Sequence, residues 1–308
     1  MNPIALLNAL PGAVSQGLIW GIMAIGVYIT YKILDVADLT VDGTMCTGGA
    51  VFIMLTMAGW PAPAALLASF IAGMLAGLVT GLFHTACGIP AILSGILTQL
   101  ALYSINLRIM GKSNQPINAN NYQLLVSSRN VKELSFENPV FVVALACVVI
   151  IALLYWFFGT EVGSSLRATG SNRAMSRAQG INTNFTTVLG LMLSNGLVAL
   201  SSALLSQYQG FADVSMGRGA IVIGLAAVII GEVVFGKVFH NFALRLTAVV
   251  IGSVIYYAVY SLVIWLGMSG DDMKLITALI VALFLSVPYW KDKYIAKHGA
   301  KKGVSNRA

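Results

Sequence analysis

Charge is what this chain has least of. Only 9% of its 308 residues are Asp, Glu, Lys or Arg and 58% are hydrophobic, whereas an average soluble domain is about 25% charged. Mean hydropathy is +0.85. A water-soluble globule would not tolerate so much apolar surface, so the chain reads as a polytopic membrane protein. Histidine is scarce as well, at His84, His240 and His298 only. No set of His, Cys and carboxylates converges as a membrane enzyme would require, so the chain is expected to be non-catalytic. The cysteines Cys46, Cys87 and Cys147 lie in or beside apolar segments without metal-type spacing. That argues against a disulfide framework and against any metal site. No Gly-x-x-x-x-Gly-Lys-Ser/Thr loop occurs, and a bundle using almost the whole length leaves no room for a nucleotide-binding domain. No Lys or Arg precedes Lys32. A removable signal peptide is therefore not expected, and the first apolar segment should remain.

The charge that is present is basic, a net +7, and it is clustered. One cluster is an island around residues 160–184 with Arg167, Arg173 and Arg177. The other is the tail, residues 291–308, where Lys291, Lys293, Lys297, Lys301, Lys302 and Arg307 face a single acid, Asp292. Anionic lipid and the positive-inside bias account for this pattern better than nucleic acid does.

Cutting the apolar sequence at its polar and Gly/Pro-rich breaks gives about nine candidate spans, since each needs roughly 20 residues. They run approximately 11–32, 41–58, 63–84, 89–110, 138–158, 185–208, 218–236, 242–266 and 273–289. The expected fold is all-α, one transmembrane domain over residues 1–290 followed by a basic cytoplasmic tail. With the tail inside, counting backwards places the island and Lys32 in the cytoplasm too, at the inner or plasma membrane of the cell. The N-terminus and the long polar connection 111–137 then face outside.

Polar residues inside such a chain are expensive unless they meet water or each other. Asp35, Asp38 and Asp42 lead into the second span, and Gly43, Gly48 and Gly49 weaken it. This predicts a broken second helix whose freed backbone groups face a cavity or protein. An ordinary loop in which Asp38 or Asp42 caps the helix is the alternative. Asp38, Asp42, Gly43, Gln99, Asn106, Asn195 and Gln209 are the candidates for a translocation pathway. Tyr103, Ser194, Gln207, Tyr208 and Asp213 are further polar groups that could meet substrate, with the Gln207 to Asp213 group expected rather to bond between helices or anchor at the interface. Glu232 is expected to pair locally with Lys237, His240 or Arg245. The small-residue series Gly17, Gly21, Gly26 and Gly73, Gly77, Gly81 predict close helix packing.

The island, Gly163-Ser-Ser-Leu166-Arg167-Ala168 through Ala178-Gln-Gly180-Ile-Asn182, is a basic, helix-compatible stretch held between long apolar segments. Together with Gly17 to Asp35, the run Asp38-Leu-Thr-Val-Asp-Gly43, and Ala226-Ala-Val-Ile-Ile-Gly231 with Phe235-Gly236, it resembles ABC importer permeases of the branched-chain amino acid and ribose type. The Asp38 to Gly43 run further resembles the tryptophan/tyrosine uptake permeases. The resemblance implies a permease subunit that moves a small solute inward, an amino acid and an aromatic one for that subgroup. It implies a cytoplasmic ABC ATPase carrying ATP and Mg, with no cofactor on this chain. It also implies an extracellular or lipoprotein substrate-binding protein and a second permease copy in a homodimer, within membrane lipid. The island would be the coupling segment, through Gly163, Ser164, Leu166, Arg167, Ala168, Gly170, Arg173, Ala174, Arg177 and Gly180. In that picture Leu166, Ala174 and Met175 pack in the ATPase groove. A secondary transporter or channel working alone is the rival reading, and it predicts inverted repeats and deep mid-span charges.

Overall fold

The computed structural model describes residues 3–118, 122, 124–132, 138–236, 238–239 and 241–267, with isolated positions between 275 and 290. Helix α1 (Pro3–Tyr28) runs directly into a π-helical turn, Ile29–Ile33. It is followed by α2 (Val41–Met57), α3 (Ala62–Thr85), α4 (Ala91–Met110), strand β1 (Asn114–Pro116) and α5 (Pro139–Gly159). Two short helices, α6 (Glu161–Ser171) and α7 (Arg173–Ala178), precede α8 (Thr183–Gln209), β2 (Phe211–Asp213), α9 (Ala220–Phe235) and α10 (Phe242–Trp265).

Among the described residues six helices are long and apolar enough to cross a membrane, α1 with its π turn, α3, α4, α5, α8 and α10, rather than the nine expected. The expected spans 41–58 and 218–236 are the helices α2 and α9, of 17 and 16 residues. At 1.5 Å per residue each is about 25 Å long, short of a hydrocarbon core about 30 Å thick. The ninth expected span, 273–289, and the tail from 291 lie outside the described residues, apart from the isolated positions.

Helix α8 forms the centre, with α1, α2 and α3 packed around it. Lipid offers no hydrophobic drive for two helices to associate, so close van der Waals approach must hold them. The glycine series supply it. A Cβ on Gly73 would run into the Asn195 carbonyl and one on Gly77 into the Leu191 carbonyl of α8. On the α1–α10 seam, a Cβ on Gly17 would lie 2.7 Å from Val254 Cα, and on Gly21 3.1 Å from Val250 Cγ1. Hydroxyls within the helices turn back on their own backbone: Thr47 donates to Gly43 O at 3.1 Å, Thr56 to Phe52 O at 2.8 Å and Ser69 to Ala65 O at 2.9 Å. No polar group need then face lipid.

The break expected inside the second helix lies before it. Residues 34–40 are non-helical, Asp35 takes a left-handed φ of 53°, and α2 then continues unbroken through Gly43, Gly48 and Gly49. Those glycines serve packing instead, since a Cβ on Gly48 would enter the Ala199 backbone and one on Gly49 the Ser206 hydroxyl. A two-stranded antiparallel sheet, absent from the all-α expectation, pairs Gln115 with Ala212 at the end of the bundle opposite α6. The connection 111–137 was expected to face outside. Its described part is seated on α8: Leu125 N donates to Gln207 Oε1 at 2.9 Å, and Val126 is fully buried.

Candidate functional site

The island folds because three side chains punctuate it. Thr160 accepts from Gly163 N at 3.3 Å and starts α6, Asn172 accepts from Met175 N at 3.0 Å and starts α7, and Asn182 accepts from Phe185 N at 3.1 Å and starts α8. Each supplies an acceptor to a first-turn N–H that has no helical partner.

Gly163, Leu166, Thr169 and Gly170 share one face of α6, three and four residues apart. That face is turned into the protein. A Cβ on Gly163 would meet the Phe157 carbonyl and one on Gly170 the Ile33 carbonyl, while Thr169 Oγ1 bonds Thr186 Oγ1 at 2.8 Å. Leu166 is wholly buried and lies against Gly190 of α8, so it does not pack against a partner as the sequence reading had it. Its burial follows from the apolar spacing of α6, which serves the helix's own seat on α1, α5 and α8.

The arginines are anchored at the same time. Arg167 Nη2 donates to Phe158 O at 2.8 Å, Arg173 Nη2 to Thr187 Oγ1 at 3.3 Å and Arg177 Nε to Thr183 Oγ1 at 2.8 Å. The outward surface of the two helices includes Glu161, Val162, Ser164, Arg167, Ala174 and Arg177, with Met175 63% exposed, and Gly180 is exposed just beyond α7. Ala168 is half-buried between the two faces.

A second arrangement lies near the middle of α8. Asp38 is buried, accepting from Thr40 N at 2.9 Å and from Asn195 Nδ2 at 2.7 Å. Asn195 Oδ1 accepts from Thr44 Oγ1 at 2.7 Å, and a chain of hydroxyls continues from Thr40 to Thr80 at 2.7 Å and on to Thr98 at 2.9 Å. Four elements are thereby tied to one carboxylate. Thr40, Thr44, Thr80 and Thr98 were not singled out in the sequence, because threonine in an apolar helix ordinarily bonds its own backbone.

The remaining pathway candidates divide. Gly43, Gln99 and Asn106 meet where α2 crosses α4: a Cβ on Gly43 would lie 3.1 Å from Gln99 Cα, and Asn106 Nδ2 donates to Gly43 O at 3.3 Å. Asn106 Oδ1 is buried and has no hydrogen-bond partner among the described residues. Asp42 faces the other way, accepting from Gly219 N at 3.0 Å and Ile221 N at 3.1 Å. It caps α9, 177 residues along the chain, rather than the start of its own helix. Gln209 stands apart, exposed at the sheet end beside a cavity of about 440 Å³. There Asp213 is held below the usual carboxylate range: burial raises it, but bonds from the Ser215 hydroxyl and N–H and from Asn114, with Arg218 nearby, lower it further. Glu232 pairs with Lys32 at 3.1 Å; of the local cations expected for it, Lys237 and His240 lie outside the described residues.

These are two half-length helices meeting at Asp42, a buried carboxylate network, and an anchored helix pair presenting a small apolar and basic face. The family model described as branched-chain amino acid transport system / permease component matches residues 10–287. The chain belongs to this permease family. Its relatives include a tyrosine transport system permease protein of Clostridioides difficile, 42% identical over 91% of each chain. The ribose import permease protein RbsC of Escherichia coli is 23% identical over 91% of this chain and 85% of its own. The solved structure of PsaBC from Streptococcus pneumoniae in complex with Fab shares the fold, with TM-score 0.51 at 15% identity, covering 92% of this chain and 95% of the other. As an ABC permease the chain is a transmembrane, multi-pass transport component, and permease subunits of this family are not catalytic.

Proposed function

We propose that this permease is the membrane subunit of an ATP-driven importer that carries an amino acid, and an aromatic one, into the cell. The substrate class rests on the 42% identity to a tyrosine transport permease along nearly the whole of both chains. Coupling rests on the observation that carries the reading: α6 and α7 are locked to α1, α5 and α8 on one side and leave Val162, Ala174, Met175 and Arg177 exposed on the other. A rigid handle of this kind transmits a push to three membrane helices. A cytoplasmic ABC ATPase, holding ATP and Mg, binds that outward face, with α6 and α7 in the cytoplasm of the cell. A substrate-binding protein delivers its cargo at the β1–β2 end.

A second copy of the chain completes the pathway along α4. This helix is largely exposed, yet it is the least apolar of the six spans and carries Gln99, Tyr103 and Ser104. A helix facing only lipid would be apolar, as α5 is. Gly43 and Asn106 lie directly behind that face, and the Asp38 network braces it.

The test is uptake of labelled tyrosine or tryptophan into proteoliposomes holding the permease, its ATPase and its binding protein. Met175→Asp should abolish ATP-dependent uptake while leaving the permease folded and inserted. Undiminished uptake in that variant refutes the coupling assignment. Ion-driven uptake by the permease alone would favour a stand-alone carrier.

A further inference from the structure

A cavity of about 1070 Å³ opens at the α6 end of the bundle between α5 and α10. Three cations from three elements line it: Lys32 from the π turn after α1, Arg167 from α6 and Arg245 from the first turn of α10. Glu232 offsets the charge of Lys32, and with no acid among the lining residues Arg167 and Arg245 leave the cleft net positive. Its mouth is aromatic, with Tyr155 50% and Trp156 71% exposed and Phe242 alongside.

What distinguishes this cleft from a site for a free anion is the surface leading into it. Leu145, Val149, Leu153 and Trp156 recur at intervals of four, four and three along α5, and each is 49% exposed or more. They form a continuous apolar stripe that ends at the cationic cleft, on the most apolar of the six spans. An occupant must therefore be anionic at one end and apolar over a length of several helical turns. Tryptophan and tyrosine at the junction are the side chains that settle at a headgroup boundary. The chain's own tail is a poor occupant, because Lys291, Lys293, Lys297, Lys301 and Lys302 would meet like charge.

We infer that this cleft is a specific site for an anionic phospholipid, its phosphate held among Lys32, Arg167 and Arg245 and its acyl chains lying along the α5 stripe. Basic pockets between spans are the recognised setting for such headgroups. Because Arg167 sits on α6 and Arg245 on α10, the bound headgroup bridges the α6–α7 unit to α10. The lipid thereby stiffens the element through which force would pass. The binding itself needs neither ATP nor a partner, so it stands or falls separately from the coupling proposal.

The test uses the purified full chain in liposomes, with acyl-brominated phosphatidylglycerol or phosphatidylcholine as quencher. The signal is the part of the tryptophan fluorescence that disappears in Trp156→Phe. Phosphatidylglycerol should quench that signal at a lower mole fraction than phosphatidylcholine, each cation contributing about fivefold in affinity. Arg245→Gln and Arg167→Gln should each remove about fivefold of the preference, with a cooperative thermal transition showing that the variants are folded. Glycerol phosphate in the millimolar range should not compete. Equal quenching by the two lipids, or a preference unchanged in both variants, overturns the site. Displacement by glycerol phosphate makes it a free-anion pocket, and loss of the preference on adding the ATPase makes it a protein interface; either result also overturns it.

Discussion

Replacing Gly170 with alanine probes the seat of α6 with a single methyl group. The added Cβ would run into the carbonyl of Ile33, at the point where the π turn after α1 meets α6. Overfilling a packed contact of this kind costs about 1–3 kcal/mol, partly offset by about 1 kcal/mol of helix propensity gained on leaving glycine. Because the obstruction is backbone, the cost lies at the upper end of that range and the net destabilisation is about 2 kcal/mol, which lowers the melting temperature by about 4–8 °C for a chain of this size. Gly159→Ala is the matched control at the same end of the bundle, because nothing lies within 4 Å of its Cβ position. It should leave the melting temperature unchanged or slightly raised. In proteoliposomes Gly170→Ala should hydrolyse ATP with reduced uptake per ATP, since α6 would be displaced from α1 while its outward face stayed intact. If Gly170→Ala melts and transports as Gly159→Ala does, α6 is not seated on the end of α1 and the handle argument fails.

Other variants test the interior. Asp38→Asn alone sets two amide donors against each other at Asn195 and should cost about 1–3 kcal/mol. Adding Asn195→Asp restores one carboxylate and one amide and should recover at least half of that loss in thermal unfolding; no recovery would show that the pair is not coupled. Asp42→Ala strips the cap from α9 and should cost about 1–2 kcal/mol, whereas Asp42→Asn keeps most of the stability because an amide oxygen can still accept from Gly219 and Ile221. Equal losses in the two variants would contradict the cap. The Asp213 carboxyl sits below its ordinary value of 3.8 in the folded protein. Its contribution to stability is thus present above the unfolded value and lost as pH falls through the lowered one. Asp213→Asn should flatten that acid-side decline in melting temperature, and an unchanged decline would assign it to another group.

Span positions were legible because apolar runs, Pro61, Pro90 and Pro139 near helix starts, and Gly111 and Gly210 at helix ends mark boundaries through local chemistry. The glycine seams were legible for the same reason: a small residue every fourth position makes a flat helix face whatever lies opposite. The island was readable as helix and as basic surface. Which side of it faced inward was not, because Leu166 looks the same whether it packs on α8 or on a partner. Partners of the buried acids were also beyond reach. Asp38 finds Asn195 at a separation of 157 residues, and Asp42 caps a helix 177 residues away. The break before α2 was displaced in the reading because glycine inside a helix can mean either weakness or close approach, and only the position of Ala199 and Ser206 decides between them.

The central claim is that the outward face of α6 and α7 is where a separate ATPase grips this permease. A photocrosslinking amino acid at Met175, which is 63% exposed, puts that claim to the most direct test in intact cells expressing the whole transporter. The account predicts a covalent adduct with the ATPase from position 175 and none from Trp60, which is 52% exposed and lies at the opposite end of the bundle. An adduct from Trp60 but not from Met175, or labelling of position 175 by a membrane-impermeant reagent added outside, would contradict it.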